Sequence, residues 1–147
     1  MKKNLNKEVS NGMNPVVHFE MPYEDRDRMA DFYAKAFGWQ ANKLGPEMGD
    51  YVVVMTSEED KKTKFPKKPG MINGGFFKKT EEHRYPSVVI SVLDIREVMK
   101  KVEVAGGKVL GGSWKAGEPD DIPGVGLYIS FIDTEGNHIS MLQPSRM

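Results

Sequence analysis

Apolar and polar positions alternate from Val16 to Met21, with Val17, Phe19 and Met21 on one side and Val16, His18 and Glu20 on the other. A period of two is the pattern of a half-buried strand, and Pro22 is expected to end it. The period then lengthens. Met29, Phe32, Tyr33, Ala36 and Phe37 recur at helical spacing, with Asp25 placed to cap the start and Gly38 to stop the helix. Trp39 to Lys43 and the β-branched run Tyr51 to Thr56 read as strands. Lysines, acids and prolines crowd Ser57 to Gly70 and predict a mobile loop there. Met71 to Lys79 resumes as a strand, although Asn73, Gly74 and Gly75 lie inside it.

The same order restarts at Tyr85. Val88, Ile90 and Val92 alternate with Ser87, Val89 and Ser91; Asp94 then caps a second helix whose buried stripe is Ile95, Val98, Met99, Val102 and Ala105, ended by Gly106 and Gly107. Lys108 to Gly112 is a short strand and Ser113 to Val125 a loop. Leu127 to Ile132 and His138 to Leu142 follow, joined by the turn Asp133 to Asn137. Phe19 and Val88, Asp25 and Asp94, and Tyr33 and Val102 are each 69 positions apart, so positions meant for burial coincide in the two halves. The expected fold class is α+β: two tandem βαβββ units, residues 15–80 and 85–144, forming a curved mixed sheet with the helices on its convex face. They make one domain, 15–147, after a polar tail, 1–14, and the concave face is left for a ligand.

Composition narrows the chemistry. Twenty-one Lys and Arg offset twenty-one Asp and Glu in 147 residues, which removes the excess cations that a nucleic-acid binder needs. There is no cysteine, hence no disulfide, thiolate nucleophile or zinc knuckle, and any metal would rest on His, carboxylate or amide ligands. The chain has no apolar run long enough for a membrane helix and no export signal, so a cytoplasmic protein without membrane partners is expected.

Particular positions stay open to more than one reading. His18 either hydrogen-bonds a ligand or acts as a base, or it is a half-buried polar residue satisfied within the sheet. Glu20, on the same face, is expected to form an ion pair or meet water. Asn73-Gly74-Gly75 marks either a bulge or a close approach by a ligand or neighbouring strand. His138 and Ser140 share a strand face, but no strand-to-helix elbow presents the serine as a nucleophile. His83, beside Glu81 and Glu82, reads as part of a solvated connection. Gly124-Val125-Gly126 leads into a strand and is no dinucleotide loop; it reads as a gate with Trp114 and Ile122 as apolar walls. Tyr128 and Ser130 share a face that can add polar contacts.

The segments His18 to Pro22, Asp31-Phe32-Tyr33 with Phe37-Gly38-Trp39, Ala105-Gly106-Gly107, Ile122 to Gly126 and Asp133 to Asn137, in this order, resemble the vicinal oxygen chelate superfamily. Small bacterial glyoxalase-like, bleomycin-resistance and dioxygenase-like proteins belong to it. The resemblance runs from about Val16 to Pro144. It implies a divalent metal held by four inward side chains, which fall on His18, Asn73, Ser87 and Ser140. Only His18 is a usual ligand, and no carboxylate balances the charge of an ion. The expectation is therefore a small-molecule-binding protein without an intact metal site, lined by His18, Asn73, Ser87, Ser140, Tyr128 and Trp114. The alternative is a lyase, isomerase or dioxygenase dependent on Mn, Ni, Zn or Fe. Family members commonly pair, so a homodimer is expected.

Overall fold

The computed structural model describes residues 12–112 and 115–145, which form two compact units. One unit is Val17–Val88; the other is the chain from Val89 onward with the residues up to Val16.

In the first unit, β1 (Val16–Tyr23) leads through Asp25 into α1 (Arg26–Phe37). The Asp25 side chain accepts from the Arg28 amide at 3.0 Å, and Gly38 closes the helix at φ 75°, a conformation that costs glycine little. Then come β2 (Gln40–Lys43), β3 (Val52–Met55) and β4 (Asn73–Lys78). The strand order is β2-β3-β4-β1, with β1 parallel to β4 and the other pairs antiparallel. Pro22 does not stop β1, because it pairs opposite Phe77 inside the strand. The Lys79 amide donates to the carbonyl of the next residue, Tyr23, so Tyr23 faces β4 and the donor that Pro22 lacks belongs on the other side of the strand. Val52, Val54 and Phe76 are fully buried, with Met29, Tyr33 and Trp39 packed against them. Burial of such side chains is worth about 1.5–3 kcal/mol each.

From β5 (Ser87–Ser91), which begins two residues before the second unit, the chain continues with α2 (Ile95–Val104), β6 (Lys108–Gly111), β7 (Asp120–Ile122), β8 (Gly126–Ile132) and β9 (His138–Pro144). The first and last of these strands again pair parallel, and β9, β8 and β6 follow antiparallel. Val92, Ile95, Ile129 and Met141 form the core of the second unit, and Ile90, Val98, Met99 and Val102 pack against them. The class read from the sequence, α+β, is the one found, with β7 as one strand beyond the βαβββ plan in the second half.

Two loop expectations need correction. Asp120 to Ile122, placed in a loop, pairs with β8 as β7, so Gly124 and Val125 lie in a tight hairpin turn that leads into β8 at Gly126. The segment Ser57 to Gly70, expected as a loop, closes on itself as a hairpin. Glu59 bridges Pro66, the Asp60 amide donates to the Phe65 carbonyl at 2.7 Å, and the Lys67 amide donates to the Glu58 carbonyl at 2.9 Å. Asp60 Oδ1 accepts from the Lys62 and Thr63 amides, supplying acceptors that the turn would otherwise lack.

The glycine pair in β4 is no bulge, since the register His18–Asn73, Phe19–Gly74, Glu20–Gly75 runs unbroken. Each glycine makes room for an aromatic ring. A Cβ at Gly74 would lie 2.6 Å from the Phe19 ring, and one at Gly75 would fall on the Tyr51 phenol. Gly75→Ala is expected to lose about 1–3 kcal/mol to overpacking. In urea unfolding, the same change made beside Tyr51→Ala should lose less than the two single losses combined; strict additivity would contradict the contact.

Candidate functional site

Tyr51 enters β3 from a short segment that several polar contacts hold in place. The Leu44 amide donates to the Tyr51 carbonyl at 2.8 Å, and Pro46–Met48 makes one turn of 3₁₀ helix between them. Asp50 takes a left-handed φ of 56°, uncommon for a residue with a side chain. Its carbonyl accepts from the Tyr23 hydroxyl at 2.7 Å, while Arg26 donates to the Leu44 carbonyl at 2.7 Å. β1 and α1 thus brace the backbone on both sides of Tyr51, and Gly75 leaves space for its ring.

The phenol lies among the polar side chains of β1. Tyr51 Oη donates to Glu20 Oε2 at 2.9 Å and lies 3.1 Å from His18 Nε2. With the phenol proton directed to Glu20, Nε2 is the donor to Tyr51, which leaves the imidazole lone pair on Nδ1. Glu20 is only 4% exposed, so it neither faces water nor stands beside His18 as an open carboxylate. Burial removes solvent from the imidazole and pushes the His18 pKa down to about 4. The ring is therefore neutral at physiological pH.

Asn73 is the register partner of His18 on β4. Its Oδ1 accepts from the Thr56 amide at 2.7 Å and the Ser57 amide at 3.0 Å. Backbone donors fix the orientation of this amide, and Nδ2 is a buried donor with no partner among the described residues.

The other expected positions among the described residues have partners of their own. Ser87 Oγ lies 3.3 Å from Nε2 of His83, whose ring stacks on Phe77 at 3.9 Å; His83 is half-buried rather than in a solvated connection. Ser140 belongs to the other unit, fully buried, where Tyr128 Oη donates to its Oγ at 2.8 Å and Ser130 Oγ lies at 2.9 Å. Trp114 lies outside the described residues. Sequence reading missed Tyr51, which it took only as the start of a strand; Gly75, a gap in a strand demanding a neighbour, was the available signal.

At each of the four positions a candidate ligating atom already has a hydrogen-bond partner within the chain. A divalent ion needs lone pairs aimed at it. Asn73 has its oxygen turned to the backbone, His18 Nε2 and Glu20 are joined through Tyr51, and the Ser140 hydroxyl is held between two others. Among the described residues no three His, Cys, Asp or Glu are grouped to hold a metal, and no helix is long and apolar enough to cross a membrane.

Residues 16–57 match the family model described as bleomycin resistance protein-like N-terminal. Several solved structures share the whole architecture. Methylmalonyl-CoA epimerase from Mycobacterium tuberculosis superposes with a TM-score of 0.61 at 11% identity, covering 89% of this chain and 88% of that one. The chain has the vicinal oxygen chelate fold. A Streptomyces coelicolor methylmalonyl-CoA epimerase variant in complex with 2-nitronate-propionyl-CoA gives a TM-score of 0.64 at 13% identity, covering 92% and 100%. A methylmalonyl-CoA epimerase in complex with methylmalonyl-CoA and ammonium gives 0.63 at 13%, covering 91% and 96%. At such identities the likeness is one of fold. No curated protein matches the sequence.

The depressed pKa of His18 gives a signed expectation. The unfolded chain takes up a proton near pH 6.5 and the folded chain only near 4, so stability is full above pH 6.5 and is lost as pH falls toward 4. The loss is about 3 kcal/mol by pH 4. His18→Gln should flatten that part of the curve in urea melts at successive pH values; an unchanged slope would count against a buried neutral imidazole.

Proposed function

We propose that this chain is a small-molecule-binding protein of the vicinal oxygen chelate fold whose ligand is held by hydrogen bonds, without a divalent metal. The observation that carries the reading is the Tyr51 hydroxyl, which engages both His18 Nε2 and Glu20 Oε2. The phenol thus stands between the two side chains of this face best suited to ligate an ion. The fixed amide of Asn73 adds to it, since it turns a donor rather than an acceptor toward the unpartnered side. Such a face suits an uncharged or weakly polar ligand that donates to the His18 Nδ1 lone pair. The homodimer expected from the family resemblance is part of the proposal, and light scattering at micromolar concentration tests it.

Calorimetric titration of the chelator-free protein with manganese, nickel, zinc and iron should give no stoichiometric binding. Tight one-to-one uptake that His18→Ala abolishes would overturn the reading. Fragment screening by ligand-observed NMR should find hits that move the His18 imidazole resonances and are lost in Tyr51→Phe.

The hydrogen-bond chain itself favours a second reading, metal-free acid–base chemistry. A carboxylate that accepts from a phenol, which accepts in turn from an imidazole, orients the neutral ring with its Nδ1 lone pair free to take a proton from a bound substrate. Solved structures of this fold include methylmalonyl-CoA epimerases, and epimerisation exchanges a proton on carbon. Incubation in heavy water with 2-substituted acyl thioesters should place deuterium at the α-carbon in wild type and not in His18→Ala. Exchange no faster than in buffer would remove this second reading.

A further inference from the structure

On the face of β1 opposite His18 and Glu20, Phe19 and Met21 open onto a groove of about 500 Å³, within the range of small-molecule sites. Trp39, Ile72, Pro86 and Val88 complete a largely apolar wall, and the Phe19 and Trp39 rings lie 5.5 Å apart in it. Thr56 and Ile72 also line it, and these two residues are the feet of the hairpin, tied by the Thr56 hydroxyl donating to the Ile72 carbonyl at 2.7 Å. The hairpin therefore rises from the groove's own wall.

That hairpin carries Lys61, Lys62, Lys64, Lys67 and Lys68, all exposed. Glu58 engages Lys67 at 3.7 Å, and Asp60 is turned to the backbone amides of Lys62 and Thr63. Glu59 is the remaining opposing charge. Lys61, Lys62, Lys64 and Lys68 enter no ion pair among the described residues, and Lys68 lies four positions before Ile72, within roughly 13 Å along an extended chain. In a chain of zero net charge this is a local excess of cations beside an apolar trough.

We propose that the groove binds a single-chain aliphatic carboxylate, its hydrocarbon against Phe19, Met21, Trp39, Ile72 and Val88 and its head group at the hairpin lysines. An apolar wall alone would take any hydrocarbon; the lysines select an anionic head. The site lies on the other face of β1 from the Tyr51 cluster and does not depend on its function.

The test is calorimetry of the whole protein with octanoate, decanoate and dodecanoate below their micelle concentrations, beside dodecanol. Binding should be one-to-one, and affinity should rise about fourfold per added methylene until the groove is filled. Dodecanoate should bind at least tenfold tighter than dodecanol, and the advantage should shrink in about 0.5 M salt. The quadruple variant K61Q/K62Q/K64Q/K68Q, confined to exposed positions, should lose that advantage while binding dodecanol as before. Methyl NMR of methionine-labelled protein should show the Met21 resonance moving with saturation. Absence of saturable binding, a still Met21 methyl, or carboxylate binding indifferent to both salt and the lysine variant would each overturn the proposal.

Discussion

The Tyr51 hydroxyl accepts from an imidazole and donates to a buried carboxyl group, and the first unit is arranged around keeping it there. Removing the phenol would take a donor from the buried Glu20 and an acceptor from His18 Nε2, and losing a partner from a buried polar group is costly. Room for the ring requires that β4 carry glycine at Gly75, in the middle of a strand where glycine is otherwise unfavourable. Its direction requires the left-handed turn at Asp50, which Tyr23 and Arg26 brace from β1 and α1. Local irregularity in several elements thus traces to one side chain.

The two units share a topology and differ in what they bury. The first brings the Tyr51 phenol, from the entry to β3, onto the His and Glu side chains of its first strand; in the second, the Ser140 hydroxyl meets those of Tyr128 and Ser130. Hydroxyl groups can satisfy one another in pairs because each is both donor and acceptor. In an amide the donor and the acceptor are different atoms, so one can be met while the other is not, as at Asn73: two backbone amides donate to its oxygen, and its nitrogen is left over. The repeat preserves backbone geometry far more closely than it preserves chemistry, as expected when function resides in side chains set on a common scaffold.

The period of apolar residues made both helices legible, and Asp25, Gly38 and Asp94 marked ends that the structure keeps. It failed where a local rule met a tertiary constraint. Pro22 reads as a terminator, but in a parallel strand only alternate amides face a given neighbour, so the missing donor fell on the side away from β4. The lysine-rich segment reads as solvated, and the turn chemistry of Asp60 closes it into a hairpin nonetheless. His18 could be singled out by position. Its partner could not, since Tyr51 is 33 residues away and reaches it through a turn that no periodicity encodes.

Both units close by pairing their first strand with their last, and in the first unit the register partners His18 and Asn73 are 55 positions apart. Drawing such distant residues together carries a loop entropy of about 3.5 kcal/mol before any contact offsets it. Hairpins between neighbouring strands form much earlier, within microseconds. The polar face that holds His18 beside Asn73 therefore has no existence in a partly folded chain: it is assembled by the same slow event that completes the unit, and a nascent chain lacks it until β4 has left the ribosome.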